Sequence, residues 1–386
     1  MTGSTPSAFS KGEFIPPDSI FDVTRRYVAD EFLNKVNLGQ GTYRDENGNP
    51  WVLPSVRMAK EKVVDAGHEY LPIAGLNTFR DAAVRLVFHG TKALEENRAG
   101  CSVKTVYITD PTWSNHSLLF SSIGFDVKTL PYYKNGSLDF DGYVNALQAA
   151  DEDSAVVMHA CAHNPTGCDP SEEQWKKIAA IVKEKNIFPI FDSAYLGFNS
   201  GSVDKDAWAI RYFVEDLGLE ACVCMSFAKS MGLYGERVGL TAMVASSSDA
   251  ARTVGSILAN SQRATISNPP VYGARIAATV LDTPDIAEQW KKDLMTMSTR
   301  ILSMRQRLFE ELQGLKTPGD WSHITSQTGM FGYMGITPAQ IEHLETKYHI
   351  YMADTSRISI AGLNEGNVKT ANKPLILYYS HKSTHA

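Results

Sequence analysis

Between residues 103 and 245 the chain alternates between two hydrophobic rhythms. Short apolar runs predict buried strands at Val103–Thr109, Asp126–Tyr132, Ser154–Cys161, Ile187–Phe191, Ala221–Phe227 and Val238–Ala245. Helical spacing falls between them. Residues 115–123 read as a helix, and Ser171-Glu172-Glu173-Gln174 forms a capping box after Pro170. That box opens a helix whose Trp175, Ile178, Ala179 and Val182 share one face. Strands that alternate with helices predict an α/β fold, a mostly parallel sheet covered on both faces.

After Pro270 the rhythm changes. Helical patterns dominate from Val271 to about Leu315, with a long connecting helix over 285–313. A smaller α+β region follows. Thr337-Pro338-Ala339-Gln340 is a second capping box with Pro at the first helical position, and Phe331–Ile336, Ile350–Ala353 and Ile358–Ala361 read as short strands. No internal repeat or low-complexity block interrupts the pattern.

Composition narrows the classes of function. At 386 residues, with 43% hydrophobic and 21% charged positions, the chain can bury a sizeable core. A net charge of −6 argues against a nucleic-acid surface, which needs clustered Lys and Arg. No apolar run reaches the roughly 18 residues of a membrane helix. The cysteines, Cys101, Cys161, Cys168, Cys222 and Cys224, are odd in number and contain no C-x-x-C, which fits a reducing compartment. The first ten residues carry neither a secretory nor a mitochondrial signal pattern, so a cytoplasmic location is expected.

Ligands of such sheets sit beyond the carboxyl ends of the strands. Four predicted strands end on residues with chemistry. Asp110-Pro111-Thr112-Trp113 follows the first, Ala162-His163-Asn164-Pro165-Thr166-Gly167 the third, Asp192-Ser193-Ala194-Tyr195 the fourth and Ser226-Phe227-Ala228-Lys229 the fifth. Taken singly, each has a plain reading: a solvated lysine, an N-capping Asp192, a turn at Asn164–Gly167. Jointly they bring a lysine, an acid, a phenol, an amide and an indole to one rim. That set suits pyridoxal 5'-phosphate (PLP). A lysine amine can condense with its aldehyde, and a carboxylate keeps its pyridine nitrogen protonated. A phenol and an amide can hold the ring oxygen, and an indole can stack on the ring.

From about Pro16 to Thr370 the chain resembles the aspartate aminotransferases of the class I, fold-type I PLP-dependent family. The motifs are residues 37–44 (NLGQGTYR), 68–73 (HEYLPI), 159–167 (HACAHNPTG), 191–198 (FDSAYLGF), 226–239 (SFAKSMGLYGERVG), 267–270 (SNPP) and 357–362 (RISIAG). The resemblance implies a large PLP-binding domain over 45–296. It also implies a smaller α+β domain built from both chain ends, 1–44 and 297–386. It makes Lys229 the catalytic lysine and proton shuttle, Asp192 the partner of the pyridine nitrogen, and Tyr195 and Asn164 the holders of the ring oxygen. Trp113 stacks on the ring, while Ser226 and Arg237 bind the phosphate, helped by Tyr70 from the neighbouring subunit of a homodimer. His116 and His159 stand behind Asp192. Arg357 clamps the substrate α-carboxylate, and Arg263 reaches across the dimer to the side-chain carboxylate. Two guanidiniums facing two carboxylates select dicarboxylic amino acids and their 2-oxo acids, since Arg binds carboxylate in bidentate fashion. The Gly39-x-Gly41 backbone is placed to approach the substrate closely, and lacks the third Gly of a dinucleotide fingerprint.

The chain departs from the family pattern twice. Where relatives place a Ser-Gly-Thr-Gly turn and a helix that cradles the phosphate, Gly100 runs straight into Cys101-Ser102-Val103-Lys104. After Thr370 the pattern of the last helix stops, and Pro374 would break it. An alternative reading is therefore a non-catalytic or weakly PLP-binding form of the same fold. Two further readings carry less. Ser226-Phe227-Ala228-Lys229 fits S-x-x-K, but its companion S-D-N and K-T-G elements are absent. His159, Cys161 and His163 alternate, which on a straight strand puts all three on one face as metal ligands, with no fourth ligand near; no metal is expected.

Overall fold

The computed structural model describes residues 19–67, 69–88, 91 and 105–369. The 96–104 junction, Cys101, His68, the first ten residues and the divergent segment after Thr370 lie outside the described residues.

Six strands form the central sheet: β1 (Thr105–Asp110), β2 (Asp126–Pro131), β3 (Ala155–His159), β4 (Phe188–Ser193), β5 (Ala221–Ser226) and β6 (Gly239–Val244). Their order is β2-β1-β3-β4-β5-β6. All neighbours pair in parallel except β5 with β6, which run antiparallel. The sequence pattern located every one of these strands but carried no sign of that reversal, because a strand buried on both faces reads the same in either direction. Both capping boxes form, at the starts of Glu172–Glu184 and Pro338–Tyr348. The helical stretch after Val271 resolves into Tyr272–Asp282 and one 31-residue helix, Pro284–Gly314.

The two faces of the sheet are covered unequally. One belongs to the main core, which runs through Met158, Phe191 and Val223 to the helices around Ile276 and Trp290. The other holds a small cluster of Val106, Ile108, Ala155 and Val157, with Phe120 and Phe125 packed against it.

Segments around residues 36 and 350 pair outside this sheet. Val36–Asn37 pairs in parallel with Ile350–Tyr351, and Phe331–Tyr333 pairs antiparallel with Arg357–Ser359. Ser359 N–H donates to Leu38 O at 2.7 Å, which joins the two pairs. Arg305, only 1% exposed, holds the approach to Phe331 from the long helix. Its guanidinium donates to the carbonyls of Ile324 (3.0 Å), Thr328 (2.9 Å), Gly329 (3.0 Å) and Phe331. Gly167, at φ +67°, lies against this loop, and a Cβ there would stand 2.7 Å from Thr328 O.

Asp206 shapes the turn that follows Tyr195. Its Oδ2 accepts the N–H groups of Gly197 (2.8 Å) and Ser200 (3.3 Å). Burial pushes its carboxyl up to about 6 against those hydrogen bonds, and Asp169 adds repulsion. The folded value thus lies above the ordinary 3.8, so the native state binds the extra proton. Stability from this group is complete in acid and falls as pH rises through about 6, by an order of 2–3 kcal/mol. Asp206→Asn keeps an acceptor without the charge. Urea unfolding should find variant and parent alike near pH 4 and the Asn variant more stable above pH 6; a pH-independent difference would remove this role.

Candidate active site

The parallel register delivers the strand ends to one rim. His159 stands opposite Asp192 across β3 and β4, and Asp192 opposite Cys224 across β4 and β5. Asp192 lies within β4, so it is not a helix N-cap. Its Oδ2 is 3.2 Å from His116 Nε2 and 3.7 Å from His159 Nδ1. Burial opposes its charge, but the His116 hydrogen bond, the two imidazoles and Lys229 together hold the carboxyl below its usual range.

Behind Asp192 runs a chain of hydrogen bonds in which one assignment of protons satisfies every group. Asn164 N–H donates to His159 Nδ1 at 3.5 Å, and His159 Nε2–H to Thr112 Oγ1 at 3.2 Å. Thr112 O–H donates to His116 Nδ1 at 2.9 Å, and His116 Nε2–H to Asp192. Burial holds His159 down at about 4, which agrees with that assignment for its ring. Thr112 is the member that sequence reasoning missed; its position one residue before Trp113 was the available signal. Among the described residues, His116, His159 and Asp192 are the one group spaced to hold a metal, and these hydrogen bonds already occupy it. The alternating His159, Cys161 and His163 do not lie on one straight strand, although the centres of the His159 and His163 rings come within 4.3 Å of each other. β3 ends at His159, Ala162 turns to φ +52°, and His163 bonds instead to Thr109 and Thr166.

Lys229 rides on the short helix Phe227–Ser230, whose N-cap is Ser226. Ser226 Oγ accepts Ala228 N–H at 3.2 Å, a structural use of the S-x-x-K serine. Lys229 Nζ stands 5.7 Å from the centre of the Tyr195 ring. Burial draws its ammonium down, Asp192 pulls the other way, and Arg237 and Arg357 add to the lowering. Burial raises the buried Tyr195 phenol well above its usual range. Trp113 is 43% exposed and meets His116 edge-on at 5.4 Å. Arg237, at φ +51°, ends the turn after Lys229 and donates to Tyr234 O at 3.0 Å.

Arg357 and Asn164 are brought together from distant parts of the chain. Arg357 Nη1 donates to Asn164 Oδ1 at 3.2 Å and Nη2 to Gly39 O at 3.1 Å, with its guanidinium 4.2 Å above the Phe331 ring. Gly41 serves that packing directly: a Cβ on it would stand 2.6 Å from Phe331 Cζ.

Tyr70 and Arg263 are held elsewhere. Tyr70 is 90% exposed. Its loop is tied to the end of the helix Ser248–Thr265, where Asn268 exchanges hydrogen bonds with Leu71 and Gln262 donates to Ile73 O. Arg263, near the end of that helix, is exposed and donates to Ser267 Oγ. Of the helix's 18 residues only Val254 is buried, and Ile257, with Ile266 just past its end, faces outward. The hydrophobic pattern gave no reason to single this helix out, since Val254 alone of its residues is buried.

Comparison with known proteins agrees with this geometry. The family model for aminotransferase class I and II matches residues 34–374. The chain is 43% identical to the cytoplasmic aspartate aminotransferase of Saccharomyces cerevisiae, over 95% of this chain and 96% of that one. It is also 43% identical to the corresponding protein of Schizosaccharomyces pombe, over 94% and 95%. Among solved structures, the aspartate aminotransferase from the S. cerevisiae cytoplasm superposes with a TM-score of 0.94 at 42% identity, covering 97% of this chain and 99% of that one. An aromatic-amino-acid aminotransferase from Burkholderia pseudomallei, covalently bound to pyridoxal phosphate, gives 0.92 at 35% identity, over 96% and 99%. With its strand-end lysine, its relayed carboxylate and its Asn164–Arg357 pair, the chain belongs to the class I and II aminotransferases.

Proposed function

We propose that the protein is a PLP-dependent aspartate aminotransferase, which moves an amino group between aspartate or glutamate and the 2-oxo acids 2-oxoglutarate and oxaloacetate. The observation that carries this reading is the pairing, on one rim, of an amine drawn toward neutrality with a carboxylate held charged. That donor set fits pyridoxal phosphate: an amine for the aldehyde, an anion for the protonated ring nitrogen, and the phenol and amide of Tyr195 and Asn164 for the ring oxygen. When bound, the cofactor supplies an electron-withdrawing ring and the aldehyde that takes up the amino group. Lys229 Nζ moves the proton at the substrate α-carbon, a task that requires a neutral amine. Asp192 keeps its charge because His116 donates to it. Trp113 covers the ring, and Ser226 and Arg237 hold the phosphate. Arg357 orients the α-carboxylate, with the Gly41 backbone close by. The cytoplasm, the compartment named for both yeast relatives, is the location we propose.

The same reading makes the enzyme a homodimer with shared sites. The outward apolar residues of Ser248–Thr265 need a cover, and Tyr70 and Arg263 share that exposed face. There they can complete a second subunit's phosphate and side-chain carboxylate sites.

Three outcomes follow from these roles. Lys229→Ala should abolish transamination, and the purified variant should lose the visible absorbance that the parent gains with PLP. A parent that gains no such absorbance would favour the weakly PLP-binding form instead. Thr112→Val deletes the hydroxyl between the imidazoles; at ~1 kcal/mol for each of two lost hydrogen bonds, kcat should fall roughly 5- to 30-fold, with KM for aspartate little changed. A fall confined to KM would place Thr112 outside the relay. Finally, inactive Lys229→Ala and Arg263→Asp chains should regain part of the activity when co-expressed, whereas no recovery would count against shared sites.

A further inference from the structure

The sheet face that carries the smaller apolar cluster also carries two thiols that the transamination chemistry does not use. Cys222 and Cys224 alternate along β5, so they share a face, and their Sγ atoms lie 3.7 Å apart. They differ in access: Cys222 is 6% exposed, whereas Cys224 is exposed to solvent. Every other residue of β5 is buried or half-buried, so Cys224 is a gap in the cover of an interior strand. The chain's other described cysteines behave differently. Cys161 and Cys168 are buried, and burial pushes both thiols up, Cys168 to about 11. Cys224 moves the other way. The hydrogen bond with Cys222 draws it down against burial and the repulsion of Asp192, and Thr241 assists.

We propose that Cys224 is a reactive thiol and Cys222 its resolving partner, together forming a redox-modification site on the sheet face beside Asp192. An accessible, acidified thiol next to a second, sheltered thiol is the arrangement that redox-responsive cysteines require. The co-reactant is a low-molecular-weight disulfide such as oxidised glutathione. Cys224 thiolate attacks one of its sulfurs, the S–S bond breaks, and one glutathione thiolate leaves. Cys222 then loses its proton and attacks Cys224 Sγ, which expels the second glutathione. The dithiol is oxidised to an internal disulfide, and one glutathione disulfide is reduced to two thiols. A strand rises about 3.3 Å per residue, so the two Cα atoms stand ~6.6 Å apart, close to the upper limit of disulfide geometry. The closed form is thus strained and easily reduced, which makes the modification reversible. β5 pairs Cys224 with Asp192 and continues into Ser226 and Lys229, so the modified strand is the one that carries the lysine.

The test reads the bond itself. Trypsin releases residues 212–229 as one peptide that contains Cys222 and Cys224 and no other cysteine. After the full chain is incubated with oxidised glutathione, that peptide should be lighter by two hydrogen masses, and dithiothreitol should restore it. Cys222→Ser should trap a glutathione adduct on Cys224, while Cys224→Ser should leave the peptide unmodified. In the native parent, iodoacetamide should label Cys224 about tenfold or more faster than Cys161 or Cys168. An unmodified 212–229 peptide in the parent, while Cys101 takes the adduct, would overturn the proposal. So would a Cys224→Ser chain that still accepts glutathione at Cys222, or a parent whose Cys224 adduct persists without resolving.

Discussion

Parallel pairing is the constraint on which the rest of the molecule depends. Strands that run the same way end on the same side, so β1, β3, β4 and β5 must present their last residues along one rim. Each strand is also fixed in register by its neighbours. His159 cannot shift relative to Asp192, nor Asp192 relative to β5, without breaking a ladder of backbone hydrogen bonds. A one-residue slip would turn Asp192 to the opposite face of the sheet. The sheet therefore acts as a ruler for groups that arrive from sequence positions more than a hundred residues apart.

The groups set on that rim are electrostatically mismatched when taken singly. A carboxylate removed from water tends to take up a proton, and an ammonium tends to lose one. Lys229 follows that tendency and Asp192 does not. The difference lies in what stands behind each. Asp192 has His116 Nε2 at 3.2 Å, and the other ring nitrogen of His116 is engaged by Thr112 Oγ1 at 2.9 Å, an arrangement that suits a proton on Nε2. For Lys229, no hydrogen bond is found among the described residues; it has the field of Asp192 and the opposing fields of Arg237 and Arg357. A carboxylate held low and an ammonium drawn down thus coexist on adjacent strand ends.

Much of this was legible in the sequence because it depends on local signals. Strand runs, capping boxes and the residues that follow each strand were read from composition and spacing alone, and Lys229 and Asp192 emerged from position at the strand ends. What escaped depends on partners distant in sequence. Thr112 gains its role only because His116 and His159 flank it in space. Arg305 reads as one more charge on a long helix, yet it is buried and serves four carbonyls of the 324–331 loop. The helix Ser248–Thr265 gave no core signal because almost none of it is in the core of its own chain. The exposure of Cys224 could not be read from β5, whose apolar run looks uniformly buried.

Asn164 shows how the two halves of the site are joined. Its N–H faces His159 Nδ1, at the start of the relay that ends on Asp192. Its side-chain oxygen accepts from Arg357, which also reaches Gly39 near the other end of the chain. One residue therefore ties the carboxylate that would face the ring nitrogen in the proposed function to the guanidinium that would hold the substrate carboxylate. Arg357 is in turn backed by Phe331, whose carbonyl Arg305 fixes and whose ring occupies the space that Gly41 leaves. The loop after β3, the long helix, the Gly39–Gly41 segment and Phe331 thus converge on the pair of Asn164 and Arg357. A displacement of any one of them reaches the arginine first and, through Asn164, the relay behind Asp192.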